Sequence, residues 1–176
     1  MTPGSPSGRS KQHKPKSHSD NNTRQTFDRE LGKKYPHRIL VAEDSSLNRR
    51  LVVSMLNKLG YTDITEAFDG KEAVRLMEQA VLKGADNDPI DMILMDLWMP
   101  NMDGYEAAQR ILAMQEQVHK GKDLKILAIT ADITDNALDR AKEVGMIGYM
   151  TKPFKVIDLE RLIIEHSQPP AAVVVC

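Results

Sequence analysis

The chain has 176 residues, 41% of them apolar, enough for one domain with its own core and some length to spare. Its formal net charge is −1, yet residues 1–38 carry nine Lys/Arg against three Asp/Glu and the remainder fifteen against twenty-two, and so acidic a body argues against a nucleic-acid-binding globular face. The single cysteine, Cys176, excludes an internal disulfide or cysteine metal site, no N-terminal apolar segment resembles a signal peptide, and no run approaches the roughly 20 apolar residues of a membrane helix, so the chain reads as soluble and cytoplasmic.

Residues 1–36 are rich in Ser, Pro, Lys, Asn and His and poor in large apolar side chains. Such a segment buries too little surface to offset its ordering entropy, so it is expected to be a disordered basic leader or linker. The folded body is expected over 37–167, with Gln168-Pro169-Pro170 opening a tail over 168–176. Within the body, short β-type apolar runs appear at 38–42, 62–67, 91–95, 125–129 and 147–150. Segments of helical spacing separate them. In the first, Leu47, Leu51, Met55 and Leu59 recur every four residues and Gly60 supplies the C-terminal cap. The second and third open on Asp69 with Glu72 and on Asp103 with Glu106, both resembling capping boxes. The fourth spans Ala137 to Val144 before Gly145, and the fifth covers roughly Val156 to His166. Alternation of strands and helices this short implies a (βα)5 α/β domain, a doubly wound five-stranded parallel sheet with helices on both faces. The continuous apolar character of the third and fourth strands fits a sheet buried on both sides.

The chemistry collects where those runs end. Glu43 and Asp44 follow the first, Asp96 the third, Thr130 the fourth, and Lys152-Pro153 the fifth. If the runs are parallel strands, these groups converge on one edge, in the crevice where open α/β sheets place their sites. Glu43-Asp44 could equally be a helix cap, although Ser45 and Ser46 already offer that. Two acids there would repel a nucleotide phosphate, and no GxGxxG or Walker-type lysine loop is present. Asp96 closes the most apolar strand, where a carboxylate is costly unless paired or metal-bound. A simple ion pair with Lys152 would explain one acid and not three. Three carboxylates suit Mg²⁺ or Mn²⁺ rather than zinc. Pro153 sits where a cis peptide persists, in a turn directly after a strand.

Taken together, Ile39-Leu40-Val41-Ala42-Glu43-Asp44, then Met95-Asp96-Leu97-Trp98-Met99-Pro100-Asn101-Met102-Asp103-Gly104, then Ala128-Ile129-Thr130-Ala131 and Gly148-Tyr149-Met150-Thr151-Lys152-Pro153-Phe154, closely resemble a response-regulator receiver domain over about 130 residues. The resemblance implies a flavodoxin-like fold in which Asp96 is the phosphoacceptor. It also implies that Glu43, Asp44, Asp96 and the Trp98 backbone carbonyl hold Mg²⁺, and that Thr130 and Lys152 take the phosphoryl oxygens. Thr130, Tyr149 and Pro153 would form the switch, reshaping the face made by the fourth and fifth helices with the fifth strand. Asn48, four residues after the acid pair, resembles receivers of hybrid histidine kinases, although Ser45 stands where those usually carry Asn.

The implied partner is a histidine-phosphotransfer protein or a histidine kinase domain, docking by the exposed side of the first helix near Asn48 and Leu51. A phosphorylation-dependent dimer is open, and no DNA-binding domain follows in this chain. The module would carry intrinsic phosphotransfer and autodephosphorylation, within a histidine kinase if it derives from a hybrid protein. Two alternatives stand beside this reading. One is a receiver-like interaction module that is not phosphorylated. The other is an aspartate-nucleophile phosphatase of the haloacid-dehalogenase type, which usually has a second Asp two residues after the nucleophile, where this chain has Trp98.

Overall fold

The computed structural model describes residues 26–82, 90–118 and 124–167. In chain order the elements are α1 (Leu31–Lys34), β1 (Ile39–Ala42), α2 (Ser46–Lys58), β2 (Ile64–Ala67), α3 (Gly70–Leu82), β3 (Met92–Asp96), α4 (Gly104–Val118), β4 (Lys125–Thr130), α5 (Asp135–Glu143), β5 (Gly148–Thr151) and α6 (Val156–His166). The five strands form one sheet in the order β2-β1-β3-β4-β5, and every pairing is parallel. The expected doubly wound α/β fold is therefore the observed one.

Alternation along the strands divides the core in two. Leu40, Ala42, Ile93, Met95, Ile126 and Ala128 pack with Ala73, Met77, Tyr105, Ala108 and Ile111 of α3 and α4. Ile39, Val41, Met92, Leu94, Leu127 and Ile129 face the other way, against Val52 and Leu56 of α2 and Leu159 and Ile163 of α6. β3 is the central strand, and β1 lies between β2 at one edge and β3. Strand order reverses between β1 and β3, and open α/β sheets bind ligands in the crevice beyond such a reversal.

The helix boundaries follow local chemistry. Ser45 and Thr134 cap α2 and α5, their hydroxyls accepting from the Asn48 and Ala137 amides. Asp69 and Asp103 accept from the amides of Glu72 and Glu106, each at 2.8 Å, as the capping-box spacing predicts. Gly60 and Gly145 follow α2 and α5 with φ of 90° and 93°, the left-handed conformation that ends helices at least cost in glycine.

One boundary differs from expectation. The segment read as disordered to residue 36 is ordered at its inner end, where Phe27, Leu31 and Tyr35 join the α2/α6 core and Leu31 is fully buried. Its backbone is tied as well. Gly32 N donates to Leu59 O at 2.9 Å, Tyr61 Oη to Tyr35 O at 2.8 Å, and Asp28 N to the buried Glu160 carboxylate at 2.8 Å. Three apolar residues spaced by four in a polar background carry too little average hydrophobicity to show in composition. Residues 1–25 of the expected leader and the expected tail over 168–176 lie outside the described residues.

Candidate functional site

Each strand end delivers its side chain to the same edge because the parallel ladders are in register: Ala42 lies opposite Met95, Asp96 opposite Ile129, and Thr130 opposite Thr151. The residues that follow those pairs therefore meet. Glu43 and Thr130 are fully buried, Asp96 is 3% exposed, and Asp44 faces solvent. Carboxylate oxygens of Glu43, Asp44 and Asp96 all lie within 4.8 Å of one another. Lys152 reaches in from beyond β5, its Nζ 2.6 Å from Asp96 Oδ2 and 2.8 Å from Glu43 Oε2. The Lys152–Pro153 peptide is cis, as expected at that turn.

Both oxygens of Glu43 have partners. Its Oε1 accepts from Ser45 N at 3.2 Å and Asn48 Nδ2 at 3.3 Å, while Arg49 Nη1 donates to its backbone carbonyl at 2.7 Å. Oε2 is buried against the Lys152 ammonium, its ion-pair partner at 2.8 Å. The Asp96 carboxyl is pushed up to about 6, first by burial and then by the neighbouring Glu43 charge, against the hydrogen bonds from Lys152 and the Trp98 amide. Burial favours the neutral form of Lys152, but contact with both carboxylates outweighs it and holds the ammonium above its ordinary value.

The donor set fits a divalent cation. One lysine is paired with two of three clustered carboxylates, leaving negative charge unbalanced, and every candidate ligand is oxygen, as Mg²⁺ and Mn²⁺ prefer. The remaining expected residues lie around this cluster rather than in it. Thr130 Oγ1 accepts from Asp132 N at 3.0 Å. Tyr149 lies outward on β5, 47% exposed, at the rim of a cleft of about 420 Å³ that Leu138, Leu162 and His166 also line. Trp98 is 54% exposed and stands edge-on to the buried Tyr105 ring, with centroids 6.0 Å apart. The Arg140 guanidinium covers that ring at 4.0 Å.

Comparison with known proteins agrees with this arrangement. The model of the response regulator receiver domain matches residues 39–164. The chain belongs to that family. This receiver domain of two-component phosphorelay signalling is 36% identical over 124 residues to the transcriptional regulatory protein PdtaR of Mycobacterium tuberculosis, covering 70% of this chain and 53% of that protein. It is 36% identical over 118 residues to hybrid signal transduction histidine kinase I of Dictyostelium discoideum, covering 67% of this chain and 6% of that protein. The receiver thus spans about half of the first relative and a small part of the second. Among solved structures, the receiver domain of the histidine kinase CKI1 from Arabidopsis thaliana, complexed with Mg²⁺ and BeF₃⁻, superposes with a TM-score of 0.68 at 27% identity, over 77% of this chain and 93% of that one. The co-crystal structure of the Saccharomyces cerevisiae histidine phosphotransfer protein Ypd1 with the receiver domain of its response regulator Ssk1 matches with a TM-score of 0.62 at 28% identity, over 74% of this chain and 89% of that one.

Four supporting residues were not singled out for these roles from sequence. Arg49 holds the Glu43 carbonyl, and Asn48 holds the Glu43 carboxylate. Asp69, read only as a cap, also accepts from Asn101 Nδ2 at 2.9 Å. The one available signal was position: an Asn inside the loop after Asp96, and a carboxylate after β2 at the same sheet edge.

Proposed function

We propose that Asp96 is the phosphoacceptor of this receiver. The observation that carries the reading is the Asp96 carboxylate, buried at the reversal of strand order between the Lys152 ammonium at 2.6 Å and the other two acids. A carboxylate oxygen attacks phosphorus of a phosphohistidine, the P–O bond forms as the P–N bond breaks, and the imidazole leaves with the bonding pair. Glu43, Asp44, Asp96 and the Trp98 carbonyl are the groups to hold Mg²⁺, which when bound neutralises the transferring oxygens. Lys152 supplies a fixed positive charge at the acceptor oxygen, and charge neutralisation with positioning is what phosphoryl transfer requires of a protein.

The same reading supplies a switch. Phosphorylation places a dianionic group beside Thr130, whose hydroxyl now serves the Asp132 amide. Turning Oγ1 inward to a phosphoryl oxygen releases that amide and the loop before α5, and vacates space toward Tyr149, which carries the event to the face of α5, β5 and α6. Pro153 sets the turn that points Lys152 inward. The donor is a histidine-phosphotransfer protein or histidine kinase domain docking over α2, where Leu47 is 76% and Leu51 43% exposed beside the acids. Origin in a hybrid histidine kinase, a cytoplasmic setting and dimerisation through the switched face belong to the same proposal. Trp98, two residues beyond Asp96, leaves the phosphatase alternative without its acid/base carboxylate.

The test is incubation with acetyl phosphate followed by intact-mass spectrometry. One added phosphoryl group in Mg²⁺, absent in EDTA and absent in Asp96→Asn, is the expected result. Failure to load phosphoryl together with failure to bind beryllofluoride would leave an interaction module in its place.

A further inference from the structure

We infer that Asp69 and Asn101 form a pin that positions the loop carrying the Trp98 carbonyl, making both of them positioning residues for the metal and phosphoryl site. The inference rests on the reading proposed above, in which that carbonyl is a metal ligand.

The loop between β3 and α4 runs from Leu97 to Asp103. Its ends are fixed by backbone: Gly104 N donates to Leu97 O at 3.0 Å, and Met102 N to Pro100 O at 2.7 Å. A Cβ on Gly104 would strike the carbonyl of Asp96, so the start of α4 lies directly on the acceptor strand. Between these ties the chain turns at Asn101, whose φ of 67° is the left-handed region and is the one positive value outside glycine among the described residues. Asn tolerates that conformation better than most residues, and a strained position persists only where its surroundings hold it.

What holds it is Asp69. Asp69 is 6% exposed and both carboxylate oxygens are committed, Oδ1 to the Glu72 amide at 2.8 Å and Oδ2 to Asn101 Nδ2 at 2.9 Å. A helix cap needs only the first bond. The second crosses to an exposed loop residue 32 positions away, and it is charge-assisted, the stronger class of hydrogen bond. Backbone packing makes the junction rigid, because a Cβ on Gly70 would collide with the Met102 carbonyl. The N-terminus of α3 is therefore set hard against the loop, and Asp69 holds the residue three positions after Trp98. Fixing a ligand-bearing backbone from behind is how groups outside the coordination sphere tune metal affinity, typically by roughly 10- to 100-fold.

The experiment measures Mg²⁺ affinity by isothermal titration calorimetry with the metal alone, alongside thermal midpoints in EDTA. Asn101→Gly keeps the left-handed turn and removes the bond. Asn101→Asp sets a carboxylate against Asp69. The double variant Asp69→Asn with Asn101→Asp exchanges donor and acceptor and retains an oxygen to cap Glu72. The inference expects the Mg²⁺ dissociation constant to rise about tenfold in Asn101→Gly and further in Asn101→Asp, and to recover in the double variant to within about threefold of wild type. Single variants that fold and bind Mg²⁺ within twofold of wild type, or a double variant with no recovery, would overturn it. Wild type failing to bind Mg²⁺ would overturn the metal reading itself, and the pin with it, which distinguishes the two failures.

Discussion

The Asp96 carboxylate is held at a cost that mutation can expose. Asp96 is 3% exposed and shares its surroundings with Glu43, and its carboxyl is pushed up to about 6 from 3.8. Keeping it ionised at neutral pH therefore disfavours the folded state by about 3 kcal/mol. Asn in its place mimics the protonated acid, with an oxygen still able to accept from the Trp98 amide. Asp96→Asn is accordingly expected to stabilise the EDTA-treated domain by about 2 kcal/mol near pH 7.5, raising the thermal midpoint by roughly 6 °C for a domain of this size. The fold binds the Asp96 proton more tightly than the unfolded chain does. The contribution of protonated Asp96 is thus fully present below about 3.8 and lost as pH rises through about 6. The gap between variant and wild type should then be full near neutrality and close as pH falls to about 4. Circular dichroism melts of both proteins in EDTA across that range measure it. A variant equal to or less stable than wild type at neutral pH, or a gap that does not narrow with acid, would refute the reasoning.

Removing the cation at the same site should act in the opposite direction. Lys152→Met leaves Glu43 and Asp96 buried together without their counter-charge and should cost the metal-free domain about 2–4 kcal/mol in urea melts, with Mg²⁺ restoring part of the loss. Leu31→Ala, emptying the pocket that anchors the N-terminal segment, should cost about 2–4 kcal/mol while leaving phosphoryl loading by acetyl phosphate at wild-type stoichiometry. Burial, with the Asp91 charge adding to it, holds the Tyr61 phenol well above its usual value. Its contribution is present below about pH 10 and lost as pH climbs further, so wild type should lose urea stability relative to Tyr61→Phe between about pH 9 and 11.

The site was legible in the sequence because each member stands immediately after an apolar run. Once Leu40, Met95 and Ile129 are assigned to parallel strands, register alone brings Glu43, Asp96 and Thr130 to one edge. Lys152 follows from the same rule, and its ammonium contacts the Glu43 and Asp96 carboxylates at that edge. What stayed hidden depends on single long-range contacts that carry no period. Leu31 anchors the leader by packing across α2 and α6, and its polar neighbours mask it. The Asp69–Asn101 bond joins loops 32 residues apart, and nothing local distinguishes that Asp from an ordinary cap. The Trp98 ring sits edge-on to Tyr105, an orientation decided by Tyr105 and Arg140 on the helices that follow.

The central claim is that one carboxylate, Asp96, accepts the phosphoryl group. Reduction of the acetyl-phosphate-treated protein with borohydride converts an acyl phosphate to an alcohol, and peptide sequencing by mass spectrometry then locates the altered residue. The account predicts homoserine at position 96, dependent on Mg²⁺ during loading. Homoserine at another aspartate, or its appearance at position 96 in EDTA as readily as in Mg²⁺, would contradict it.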